Sequence, residues 1–97
     1  MATLWIQSFA SAAEVAYNAP HQQMTLTISG TQATSAVLTS PSGSNNAHML
    51  RVRLMADSDC HVSWAGAATT ADTPMGAENP EYFGIEAGKA ISVIERV

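Results

Sequence analysis

Apolar side chains recur at every second position from Leu50 to Ala56. Leu50, Val52, Leu54 and Ala56 share one face, and Arg51, Arg53 and Met55 share the other. Only an extended strand buries one such face and leaves the other wet. Cys60, Val62 and Trp64 continue the pattern beyond Asp57-Ser58-Asp59, with His61 and Ser63 opposite. Asp and Ser in a short cluster are turn formers. Residues 49–64 therefore read as one antiparallel hairpin with Leu50, Val52, Leu54, Cys60, Val62 and Trp64 as its core face. A second hairpin is expected from Tyr82, Phe83 and Ile85 to Ile91-Ser92-Val93-Ile94, where Gly88 supplies the positive φ of the turn. Residues 24–28 alternate cleanly, and residues 3–9 and 33–39 are rich in β-formers. No window sustains a 3.6 period. The fold expected is all-β, a small antiparallel β-sandwich or barrel of about seven short strands.

The chain has 97 residues, and Leu, Ile, Val and Phe number 18 against 17 Ala. That is material for one domain over residues 1–97 with a thin core, whose stability subunit contacts would supplement. Residues 11–23 fit either a helical turn or a loop, since Asn18 and Pro20 work against a longer helix. Residues 40–46 are a loop by composition and not a domain boundary, because neither half could fold alone. Residues 65–80 hold two Pro and two Gly and no alternation. A long loop of that kind in so small a domain is functional or is ordered by a neighbour. Residues 3–9 carry apolar groups on both faces, so a half-exposed edge strand would leave some of them wet. Residues 1–9 are expected to be an assembly arm or edge strand, the alternative being an interior strand. Leu4, Trp5, Ile6, Phe9 and Met75 are the candidate assembly contacts.

Charge excludes several classes. The net charge is -4 with 12% charged residues, and the four cations Arg51, Arg53, Lys89 and Arg96 are scattered. They make no footprint for nucleic acid. No apolar run approaches the ~18 residues of a membrane span. One cysteine makes no internal disulfide, which points to a reducing compartment. The first residues lack a cation ahead of the apolar stretch, and Gln7 and Ser8 interrupt it, so no signal peptide is expected.

Reactive groups are equally sparse. His21, His48 and His61 are far apart in sequence, so no local metal-binding pair forms. Cys60 and His61 are neighbours on a strand and should point to opposite faces. Asp57-Ser58-Asp59 lacks the glycine and later acidic ligands of a calcium loop. Glu78 and Glu81 sit together in a loop, but a chain this small has little room for a substrate cleft between them. Phosphate-binding glycine loops and Ser-His-Asp signatures are absent. No catalytic residue, metal ligand or cofactor is expected, and the chain reads as a non-enzyme.

Four stretches carry a resemblance. They are Arg51 through Trp64, Ala-Thr-Thr-Ala-Asp at 68–72, Asn79-Pro80-Glu81-Tyr82-Phe83-Gly84-Ile85, and Gly88-Lys89-Ala90-Ile91-Ser92-Val93-Ile94. In order and character they resemble short virion-associated proteins of tailed bacteriophages and prophages. The shared features are a strand with a Cys and an aromatic, a small-residue loop, a Glu-Tyr-Phe strand and a last Gly-containing hairpin. The resemblance covers residues 50–95 and brings no catalytic residues with it. It implies a capsid decoration (cement) protein that stabilises the head, or alternatively a head–tail or tail adaptor. Its partners would be the major capsid protein or other virion proteins. It would be made in the host cytoplasm and located in the virion, as a homo-oligomer and a trimer on threefold positions. Composition is compatible with assembly: 19 Ser/Thr and 17 Ala make a flat surface that loses little side-chain entropy on contact. A reading from a different class is a small carbohydrate-binding β module using Trp5, Trp64 or Tyr82.

Overall fold

The alternation of residues 49–56 is realised as a central strand with a fully buried inner face. A computed structural model describes residues 2–9, 22–39 and 49–96. Eight strands are formed: β1 (Ala2–Phe9), β2 (Gln22–Ile28), β3 (Ala33–Thr34), β4 (Met49–Ala56), β5 (Cys60–Ser63), β6 (Thr73–Met75), β7 (Glu81–Glu86) and β8 (Ser92–Glu95). They make two four-stranded sheets, ordered β2-β1-β4-β7 and β3-β8-β5-β6. Every pairing is antiparallel. No helix occurs among the described residues. The expectations for residues 11–21 and 40–46, and the positions of His21 and His48, lie outside the described residues.

The two sheets enclose one core. The first contributes Leu4, Ile6, Ile28, Leu50, Val52, Leu54, Ala56 and Ile85, and the second contributes Cys60, Val62, Met75 and Val93. Leu38 and Ile91 join from connecting segments. Each large aliphatic side chain in such a core is worth about 1.5–3 kcal/mol relative to exposure. Leu50, Val52, Leu54, Cys60 and Val62 are buried, while Arg51 is exposed and Arg53 and His61 are half-buried on the outer faces. Trp64 is only half-buried. It lies just beyond the end of β5 and tilts against Phe83, with ring centroids 4.8 Å apart.

Neither expected hairpin exists. β4 pairs with β1 and β7, whereas β5 pairs with β6 and β8. Asp57-Ser58-Asp59 is thus an arch from one sheet to the other. Alternation tells which face of a strand is buried, but a following strand can satisfy the same pattern beside it or across the core. Hydrogen bonds to both carboxylate and backbone oxygens fix the arch. Thr3 N–H donates to Asp57 Oδ1 at 2.6 Å, and Asp57 N–H donates to Thr3 O at 3.1 Å. Ala77 N–H donates to Asp59 Oδ1 at 2.8 Å, and Arg96 N–H donates to Asp59 O at 3.1 Å. The connection from β7 to β8 also crosses between sheets. Gly88 there has φ of 95°, a value strained for any side chain, and donates its N–H to Leu38 O at 2.8 Å.

Two segments expected to rely on a neighbour are ordered by their own chain. β1 is an interior strand, paired with β2 over Ala2–Ser8 and with β4 over Leu4–Phe9. It is neither an arm nor an edge. The apolar groups on its two faces reflect that interior position, where strands on both sides shield even the outer face. Within residues 65–80, β6 adds an edge strand that sets Met75 opposite Cys60. Ala68 is also buried, and its N–H donates to Ser92 Oγ at 2.9 Å. Of residues 33–39, only Ala33–Thr34 form a ladder. The rest follow irregularly, through Ser35 N–H to Ile91 O and Leu38 N–H to Lys89 O, both at 2.8 Å.

Two substitutions test this packing. Val52→Asp places an unpaired charge in the core at a cost of several kcal/mol, comparable with the whole stability of a small domain. Thermal denaturation should show an unfolded chain, and a wild-type melting temperature would refute the assigned inner face. Ser8 Oγ is buried with no hydrogen-bond partner among the described residues. A stranded hydroxyl costs about 1–3 kcal/mol. Ser8→Ala should therefore raise the urea midpoint, and a lowered midpoint would show that the hydroxyl is satisfied.

Candidate functional site

Because β4 lies inside the first sheet, its odd-numbered residues must sit on the outer face with their cross-strand partners on β1 and β7. The register places Thr25, Trp5 and Met55 in one row, and Gln23, Gln7, Arg53 and Tyr82 in the next. Arg53 Nη1 donates to Gln7 Oε1 of its cross-strand neighbour at 3.0 Å. Arg51 faces Gly84, and Met49 faces Glu86. Gly84 has no side chain, and a Cβ there would lie 3.9 Å from Met49 Cε, so the methionine leans across the glycine. Tyr82 and Met49 are 47% and 66% exposed, values high enough to make them available to a partner. The result is a sheet face of aromatic, thioether, amide and guanidinium groups, of which the aromatics, Met and Arg are residue types enriched at protein contacts.

Of the five candidate contacts Trp5 and Phe9 lie on this side of the sheet, Phe9 opposite Arg51; Trp5 is half-buried there and Phe9 is buried. Leu4, Ile6, Phe9 and Met75 are at most 1% exposed. No partner can touch them without opening the fold, so they are corrected to core or interior residues. Sequence reasoning named Tyr82 only as a possible carbohydrate contact and missed Met49, although the signal was present, since Met49 lies on the wet side of the strand whose dry side had been assigned.

Trp64 belongs to a different surface. With Val37, Gly66, Gly88 and Lys89 it lines an open depression of about 440 Å³. Gly66 and Gly88 both have positive φ, 136° and 95°, so two tight bends shape its wall.

The groups with chemical potential are engaged in structure. Cys60 and His61 diverge, the thiol into the core and the imidazole outward. Burial pushes the Cys60 thiol up from 9.0 to about 11; Asp59 and Glu81 add to the rise, and Arg96 opposes it. His61 Nδ1 lies 3.0 Å from the Asp72 carbonyl oxygen, so the donating tautomer carries its proton there. Asp72 Oδ2 accepts from Thr69 N–H at 2.7 Å. Glu78, at φ 58°, donates its own N–H to Ala56 O at 2.6 Å. Among the described residues no group of three or more His, Cys, Asp and Glu could hold a metal ion.

Comparison with known proteins gives no match: no family model, no curated protein and no solved structure aligns significantly with this chain.

The cysteine supplies a prediction with a definite sign. Its folded value is raised, so the neutral thiol's contribution to stability is complete below about 9 and is lost as pH climbs towards about 11. Wild type should therefore lose more melting temperature across that window than Cys60→Ala. Equal losses would mean the thiol is not shielded. A thiol reagent should label the native protein only at the rate of unfolding.

Proposed function

We propose that this chain is a structural protein of a tailed-phage particle, a capsid decoration protein whose partner is the major capsid protein. The observation that carries the reading is the outer face of the first sheet. Tyr82, Met49, Arg51 and Arg53 stand together on this sheet face, and the core beneath is filled by the chain itself. A surface of that form suits a wide contact with another folded protein better than the enclosure of a small molecule. The particle itself is supported by the resemblance of residues 50–95 to virion-associated proteins. A head–tail or tail adaptor would use the same face.

The depression beside Trp64 favours a second reading, a carbohydrate-binding module. An aromatic ring near Lys89 and two glycine bends offers a stacking surface with polar groups at its margin.

Quantitative mass spectrometry of gradient-purified particles from the phage or prophage that encodes the chain tests the proposal. The chain should remain at a fixed ratio to the major capsid protein through successive gradients, and in tail-free heads. Absence from the particles would contradict it, and presence only in tails would favour the adaptor. Tyr82→Ala should lower occupancy roughly tenfold, as loss of an interface aromatic does, with an unchanged melting temperature. Full occupancy by that variant, with binding lost on Trp64→Ala, would transfer the site to the depression.

A further inference from the structure

The two lateral margins of the sandwich differ in charge. Between Glu14 and Arg51 the sequence contains no Asp, Glu, Lys or Arg. Both β2 and β3 fall in this interval. They are the end strands of the two sheets on the same side of the molecule, where they lie in contact. The opposite margin is formed by β7 and β6. There Glu81 and Glu86 bracket β7, and Asp72 and Glu78 flank β6. Natural sheets protect their open edges with charge, proline or a bulge. The β7–β6 margin has the first kind of protection, with Pro74 in β6 besides. The seven residues of β2, Gln-Gln-Met-Thr-Leu-Thr-Ile, have none.

β2 also has an incomplete inner face. Met24 and Leu26 point inward but remain half-buried, because the sandwich ends beside them. Gln23, Thr25 and Thr27 on its outer face are exposed. Among the described residues its ladder is made with β1 alone, so alternate backbone N–H and C=O groups along its other side have no ladder partner there. The charged residues whose backbones bond near this margin, Lys89 against Leu38 and Glu95 against Ser29, are of opposite sign.

We propose that β2 is a self-association edge at which a second copy of this chain adds antiparallel, β2 against β2, about a twofold axis at Thr25. In that register Thr25 faces its counterpart, Gln23 faces Thr27, Met24 faces Leu26 and Gln22 faces Ile28. Outward residues meet outward residues, as an antiparallel pair requires. The half-buried Met24 and Leu26 of each copy cover one another, and no like charges approach. β7 cannot pair with itself so well: in full overlap Glu81 of one copy faces Glu86 of the other. A second copy is therefore the occupant that the uncharged, self-matching β2 fits. The pair joins two four-stranded sheets into one of eight. An antiparallel strand contact is isologous and closes at two copies, so this assembly differs from the trimer implied by the resemblance. The inference does not depend on the particle reading and is tested without capsids.

Sedimentation velocity and light scattering on the purified full chain, across a concentration series, give the test. Wild type should shift with concentration from the 10.2 kDa of one chain to twice that mass. Thr25→Lys and Thr25→Glu should each remain monomeric with an unchanged melting temperature, since the position is exposed. Mixing the two should restore the doubled mass, because the charges then meet as a pair. Thr73→Lys at the opposite margin should behave as wild type. Should either Thr25 variant unfold, Thr25→Cys replaces it: mild oxidation should trap a covalent dimer across the axis, while the buried Cys60 stays unreacted. A wild-type monomer throughout the series, a trimer, or a Thr25→Lys chain that still doubles its mass would overturn the proposal.

Discussion

The sandwich depends on one confrontation, the inner face of β4 meeting the inner faces of the second sheet. β4 supplies Leu50, Val52, Leu54 and Ala56 to the core and is paired along both sides. Its sequence neighbour β5 turns through Asp57-Ser58-Asp59 and presents Cys60 and Val62 from across the core. With only 18 Leu, Ile, Val and Phe in the chain, no second apolar cluster could support a different arrangement. The thin core explains why arches are used. Folding β4 and β5 over one another encloses both apolar faces at once, whereas a hairpin would leave both on a single layer needing another cover.

Strand identity was legible because side-chain periodicity is a local property. The alternating windows became strands to within a residue or two of their expected ends, and the dry side was identified correctly at Leu50, Val52, Leu54, Cys60 and Val62. Strand partnership was not legible. The carboxylates of Asp57 and Asp59 belong equally to a tight turn, and their bonds to Thr3 and Ala77 join residues far apart in sequence. Trp64 carries the alternation one step past the end of its strand, where the pattern no longer specifies burial. β6, only three residues long and containing a proline, gives too short a period to read.

The candidate site follows from the same logic. Large apolar residues drew attention at Leu4, Ile6, Phe9 and Met75, and the core consumed them. What remains for a partner is what alternation placed outside: Tyr82 and Met49 on the face of the first sheet, and the neutral edge of β2. Face and edge are contiguous through the row that runs from Gln23 to Tyr82. A copy added at β2 would therefore extend the same surface that is proposed to meet a capsid. Two moderate contacts held together in this way gain from effective concentration without either being large.

Backbone nuclear Overhauser contacts around Leu54 test the central claim most directly. If β4 lies within the first sheet, Leu54 shows cross-strand contacts to Ile6 on one side and Glu81 on the other, the partners set by its two ladders. Val62 then connects instead to Thr73 and Val93 in the second sheet. Cross-strand backbone contacts between Leu54 and Val62 would make residues 49–64 a hairpin and contradict the arch on which the whole arrangement is built.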